Sequence, residues 1–219
     1  APGATGPQGC ALLQNRSVYC WSASGMVSSP LQIPEGIVVK KISLGQVFGD
    51  TQDMCLLSVN GTIYCIGGNS DGQLGLGHQW ETSGWNQPSF PSGMSVLDIE
   101  SGKMRNCAVL SGPNDNSIYC WGNNWNGELG TGPINGCQSC DHPTPDIVSG
   151  PANSSDIPEI YMGREHTCIL YPSSGGHWCT GLDYYPVSGN GGGRTFQQLT
   201  GSNSIGQIAL SIGTVNQCI

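Results

Sequence analysis

The feature that most constrains the fold is a hairpin pattern that recurs along the chain. Its fullest copy runs from Cys107 to Gly132, CAVLSGPNDNSIYCWGNNWNGELGTG. It reads as a strand, a polar turn, a second strand ending in Tyr119-Cys120-Trp121-Gly122, and a glycine-rich tail. The pattern returns at Cys55–Gly77, CLLSVNGTIYCIGGNSDGQLGLG, and in shorter form at Cys10–Trp21 and Cys168–Gly181. A fifth copy starts at Cys218. Successive first cysteines are 45 to 61 residues apart, a period that signals a repeat architecture.

Each unit closes on an apolar, β-branched segment that ends in glycine, at Gly45, Gly102, Gly163 and Gly213. The repeats therefore run at about 1–45, 46–102, 103–163 and 164–213, with 214–219 an incomplete fifth. The tail Gly122–Gly132 repeats Gly68–Gly77 with one extra residue. The Asn60-Gly61 pair is a strong hairpin-turn signal. With 34 glycines and 14 prolines the chain suits short strands and turns, and no helix is expected. The fold class is all-β.

Eleven cysteines are many for a cytosolic chain, and eight of them fall into four evenly built pairs, which points to an oxidising compartment. The pairs 10/20, 55/65, 107/120 and 168/179 face each other across hairpins and read as disulfides, with other pairings or metal ligation as the alternative. Cys137-Gln-Ser-Cys140, followed by Asp141 and His142, could bind zinc or exchange disulfides. No second ligand cluster matches it, so a small loop-stapling disulfide is favoured. Cys218 is left unpaired. Glycosylation acceptor triplets begin at Asn15, Asn60 and Asn153, the first two in hairpin turns where N-glycans would be exposed.

The net charge of −8 argues against a nucleic-acid surface, which needs clustered positive charge. No stretch of apolar residues is long enough to insert in a membrane, and no leader opens the sequence, so it reads as a mature secreted chain or an excised ectodomain. The histidines at 78, 142, 166 and 177 are scattered over different units, and no metalloprotease or nucleophile-elbow motif is present. Neither enzyme activity, nor a cofactor, nor a resident metal is expected. Trp80, Trp85, Trp125, Tyr184 and Tyr185 lie in loops, where they either cover sheet edges or form a protein- or sugar-binding surface.

The grammar of strand, glycine-rich loop, strand, Gly, then Cys-apolar-Leu resembles the RCC1-like repeat family. Carrying the resemblance are Gly102-Lys-Met-Arg-Asn-Cys-Ala-Val-Leu, Tyr119-Cys-Trp-Gly-Asn, Gly72-Gln-Leu-Gly-Leu-Gly77 and Gly127-Glu-Leu-Gly-Thr-Gly132. The paired cysteines look like the secreted branch of the family, similar to crinkly-type repeats of receptor ectodomains. This resemblance implies a β-propeller of which the four units and the start of a fifth form part, since family members are usually seven-bladed. The missing blades then come from a longer polypeptide or another chain, with Cys218 awaiting its partner. The resulting expectation is an extracellular or cell-surface glycoprotein module for protein interaction or structural self-assembly. A propeller lectin that binds carbohydrate through loop aromatics is the alternative.

Overall fold

The computed structural model describes residues 9–22, 25–26, 29–45, 52–112, 116–132, 141–148, 156–173, 176–181 and 193–198. Every regular element among them is a β-strand, and the strands form four antiparallel sheets. Sheet 1 holds β1 (Gly9–Leu12), β2 (Val18–Ser22) and β3 (Gly25–Met26). Sheet 2 holds β4 (Val39–Leu44), β5 (Asp53–Ser58) and β6 (Ile63–Gly67). Sheet 3 runs β7 (Ser95–Ser101), β8 (Arg105–Ser111), β9 (Asn116–Gly122) and β10 (His142–Ile147). Sheet 4 runs β11 (Glu159–Met162), β12 (His166–Tyr171), β13 (Gly176–Gly181) and β14 (Gly193–Gln198).

The cysteine hairpin forms the two central strands of sheets 3 and 4 and two of the three strands of sheets 1 and 2. Cys10 pairs with Cys20, Cys55 with Cys65, Cys107 with Cys120 and Cys168 with Cys179 as directly opposed residues. Their Cα atoms are 4.0 to 4.1 Å apart, and all four pairs are disulfides. The strand that closes a unit in the sequence is the first strand of the next sheet: β4 pairs with β5, β7 with β8 and β11 with β12. Sheets 2, 3 and 4 thus take their strands from two successive units.

These first strands converge from sheet to sheet. Lys41 on β4 donates to Asp98 on β7 at 2.8 Å and also to Glu100. A Cβ on Gly45 would lie 3.1 Å from the Gly102 carbonyl oxygen, and one on Gly102 would lie 3.3 Å from that of Gly163. The glycines that end the closing strands thus lie against one another from sheet to sheet. That is the geometry of propeller blades.

Period-two alternation builds the core between blades. On β8, Ala108 and Leu110 face sheet 2 and pack with Leu57, Ile63, Leu74, Ile99, Tyr119 and Trp121. Cys107 and Val109 face the other way, toward Ile160, Ile169 and Phe196 of sheet 4. Between sheets 1 and 2 lie Val18, Cys20, Val39, Met54 and Leu56. Because a middle strand is buried on both faces, it reads as a continuous apolar run rather than an alternating one.

Gly67, Gly122 and Gly181 occupy one structural position. Each ends the second hairpin strand opposite the start of the first, and each has positive φ: 126°, 98° and 105°. A Cβ there would sit 2.1 to 2.4 Å from a backbone oxygen of the opposing turn, so no other residue fits. This corrects the tail alignment read from the sequence. Gly67, not Gly68, matches Gly122, and the two tails have the same length.

Candidate interaction surface on the glycine-rich tails

The tails leave the sheets at the end opposite the hairpin turns. Each is closed by one asparagine. Asn69 Oδ1 accepts the Leu74 amide at 3.0 Å, and Asn124 Oδ1 accepts the Leu129 amide at 3.0 Å. This draws Leu74 and Leu129 fully into the core, and the tail side chains Asn69, Gln73, Asn124 and Glu128 are buried with them. Asn69 also orients the segment after its tail: Nδ2 donates to the carbonyls of His78 at 3.0 Å and Trp80 at 2.9 Å. Trp80 then stacks on His78, with ring centroids 4.0 Å apart and planes 6° from parallel. Trp80 is 70% exposed, and Trp125, inside the second tail, is 63% exposed.

Asp141 links the two tails. Its Oδ2 accepts from Gln79 Nε2 at 3.0 Å, and its Oδ1 from the Asn124 amide at 3.4 Å. Asn123 Nδ2 lies 2.7 Å from Asp71 Oδ1 and 3.5 Å from Asp141 Oδ1, so two carboxylates share one donor. Burial, then the Asp71 charge, push the Asp141 carboxyl up to about 6. The arrangement is a pair of exposed indoles around a half-buried, hydrogen-bonded carboxylate.

Trp85 behaves differently. Its indole N–H donates to the Gln32 carbonyl at 2.8 Å and its ring packs against the core between sheets 1 and 2. Tyr184, Tyr185, Asn153, Cys137, Cys140 and Cys218 lie outside the described residues. His142, next to the Cys137–Cys140 insertion, is buried on β10 with Nε2 3.1 Å from Thr131 Oγ1. Burial lowers its pKa. No group of three metal-ligating side chains occurs among the described residues. No helix among them is long and apolar enough to cross a membrane.

Both described glycosylation triplets sit at hairpin turns. Asn15 is exposed, and its Oδ1 accepts from the Ser17 amide at 3.1 Å and hydroxyl at 2.6 Å. Asn60 is exposed likewise, with Oδ1 accepting from the Thr62 amide at 3.3 Å and from the Ser58 hydroxyl.

The sequence did not announce the polar ties between blades. Arg105 is fully buried and donates to four main-chain carbonyls: Lys103 at 3.2 Å, Arg164 at 2.9 Å, Gly163 at 2.7 Å and His166 at 2.9 Å. The last three belong to the β11–β12 turn of the next sheet. Gln73 O, in the first tail, accepts from Asn106 Nδ2 at 2.8 Å and from the Trp121 indole at 2.9 Å, both in sheet 3. A cation between strands surrounded by turn carbonyls leaves no linear signature, because its partners are main-chain atoms.

Blades of cystine hairpins joined through glycine-rich tails define a repeat β-propeller. Residues 60–109 and 115–170 match the regulator of chromosome condensation (RCC1) repeat, and the chain belongs among the RCC1-repeat proteins. It is 24% identical over 175 residues to the ultraviolet-B receptor UVR8 of Arabidopsis thaliana, a match covering 77% of this chain and 37% of that protein. It is 25% identical to the human E3 ubiquitin-protein ligase HERC2, over 88% of this chain and 4% of that one. Prp20p from Saccharomyces cerevisiae superposes with a TM-score of 0.64 at 18% identity, covering 88% of this chain and 49% of the other. The chain therefore spans half or less of the length of each.

Proposed function

We propose that the chain is a protein-interaction module of a secreted or cell-surface glycoprotein, working as part of a larger propeller or assembly. The compartment rests on four cystines, which persist where thiols are oxidised. The exposed Asn15 and Asn60 triplets fit N-glycans carried at the hairpin-turn end. Protein binding has parallels among the structural neighbours: the Prp20p structure concerns its binding to Gsp1p and histones, and yeast RCC1 is solved bound to Kap60.

One observation carries the assembly reading. Trp121 follows the second cysteine of its hairpin and is fully buried, capped by the tail of the preceding sheet through Gln73 O. Trp21 follows Cys20 in the same way, yet it is 38% exposed. The face of sheet 1 that carries Trp21 is built to receive a preceding blade with a glycine-rich tail. That blade comes from further repeats of the same polypeptide or from a second chain. The repeats at about 1–45, 46–102, 103–163 and 164–213 then form one arc of the ring.

Natively purified material tests this. Electron microscopy should show particles or filaments larger than 22.9 kDa of protein, and enzymatic removal of N-glycans should lower the intact mass. A monodisperse particle of the bare chain mass with a shielded Trp21 would end the assembly reading. An unchanged mass after deglycosylation would end the glycoprotein reading.

A further inference from the structure

We propose that the surface between the two glycine-rich tails is a single binding site for a neutral saccharide. Trp80 and Trp125 supply stacking faces, and Gln79, Asn123 and Asp141 supply hydrogen bonds.

The two most exposed large apolar side chains among the described residues are these two indoles. They sit beside the same group: Gln79, the neighbour of Trp80, donates to Asp141 Oδ2, and the amide of Asn124, the neighbour of Trp125, lies 3.4 Å from Asp141 Oδ1. Trp80 is held in place by the Asn69 bond to its carbonyl and by stacking on His78. A rigid, exposed aromatic face beside an oriented carboxylate and amides is what a pyranose needs. Its C–H face stacks on an indole, while its hydroxyls bond in-plane acceptors and donors. The contacts to Asp141 Oδ1 are long, 3.4 and 3.5 Å, which leaves that oxygen acceptor capacity for a hydroxyl.

The surroundings narrow the ligand. Asp71, Asp141 and the exposed Glu81 make the site acidic, so phosphate, sulfate and carboxylate groups are repelled. Among the described residues, the exposed aliphatic side chains Leu13 and Val59 lie at the opposite, hairpin-turn end. The acceptor triplets at Asn15 and Asn60 are also at that opposite end. The site is composite. Trp125 lies inside its tail and Trp80 follows the other, so one site forms at the junction, not one per repeat.

The test uses the full, disulfide-intact chain, isotopically labelled, with neutral hexasaccharides of β-glucose, N-acetylglucosamine, mannose and galactose as probes. At concentrations up to roughly 10 mM, which fill even a millimolar site, at least one probe should shift the Trp80 and Trp125 indole N–H signals together, at one equivalent. Trp80→Ala, Trp125→Ala and Asp141→Asn should each weaken that probe about tenfold or more. The buried Trp121 indole signal reports that each variant stays folded. Silence from all four sugars overturns the proposal, as does binding that survives both tryptophan variants. Shifts produced only by an arginine-containing peptide, lost at high salt, overturn it in favour of a cationic protein side chain.

Discussion

At the residue scale the telling group is Asp53. It holds the position, two before the first cysteine, that Arg105 holds in the next unit, and it is fully buried. Burial pushes its carboxyl up to about 7, and the Asp71 charge adds to this; the Asn106 donor at 2.9 Å and the Arg105 charge pull the other way. A carboxyl whose folded pKa exceeds its unfolded value contributes stability in full below the unfolded value, about 3.9, and loses it as pH rises through about 7. The urea midpoint should therefore be higher at pH 5 than at pH 8. Asp53→Asn should reduce that difference. A midpoint that climbs over this interval and is unchanged by the substitution would show that Asp53 is already ionised in the folded chain.

At the element scale the unit is the cystine hairpin. Its strands are short, five to seven residues in sheets 2 and 3, and an isolated two-stranded hairpin is marginal in water. Closing a loop of 10 residues between Cys55 and Cys65 restricts the unfolded chain by about 3 kcal/mol in the chain-entropy account. The double variant Cys55→Ala, Cys65→Ala should lose about that much in chemical denaturation. A loss under about 1 kcal/mol would mean that interblade packing, not the cross-link, holds the hairpin. This element was legible in the sequence because its signals are local: apolar runs, Asn-Gly turn, and cysteines at matching distance from the turn. The glycine at the hairpin's end was legible as a glycine but not in its register. Only strand pairing shows that Gly67 opposes Asp53 as Gly122 opposes Arg105.

At the scale of the whole molecule, blades adhere through apolar faces and a few buried polar ties. Arg105 is the largest tie between sheets 3 and 4, with Glu128 and Glu165 as the nearer compensating charges. Lysine cannot reproduce a planar fork over four carbonyls. Arg105→Lys should therefore destabilise by about 3 kcal/mol or more, with the loss of the 163–166 turn seen as faster amide exchange there. If exchange in that turn is unchanged and the midpoint barely moves, Arg105 does not join the blades. Asp141 makes the same point about legibility. It stands 62 residues from Gln79 and 17 from Asn124, and nothing in its local sequence sets it apart from a loop carboxylate. In the sequence it only flanks the Cys137–Cys140 insertion, and the fold brings it to the junction of two tails.

What the sequence determined by itself was the repeat, the cystine hairpins, the all-β class and the glycine-rich tails, because each depends on residues within one turn or one hairpin. The tertiary structure decided which strand joins which sheet, which tryptophans are covered, and which polar groups meet. Trp21 and Trp121 have the same local context and opposite exposures. The Trp121 ring is covered by a tail some fifty residues earlier in the chain, and packing between such distant segments is encoded by no local pattern.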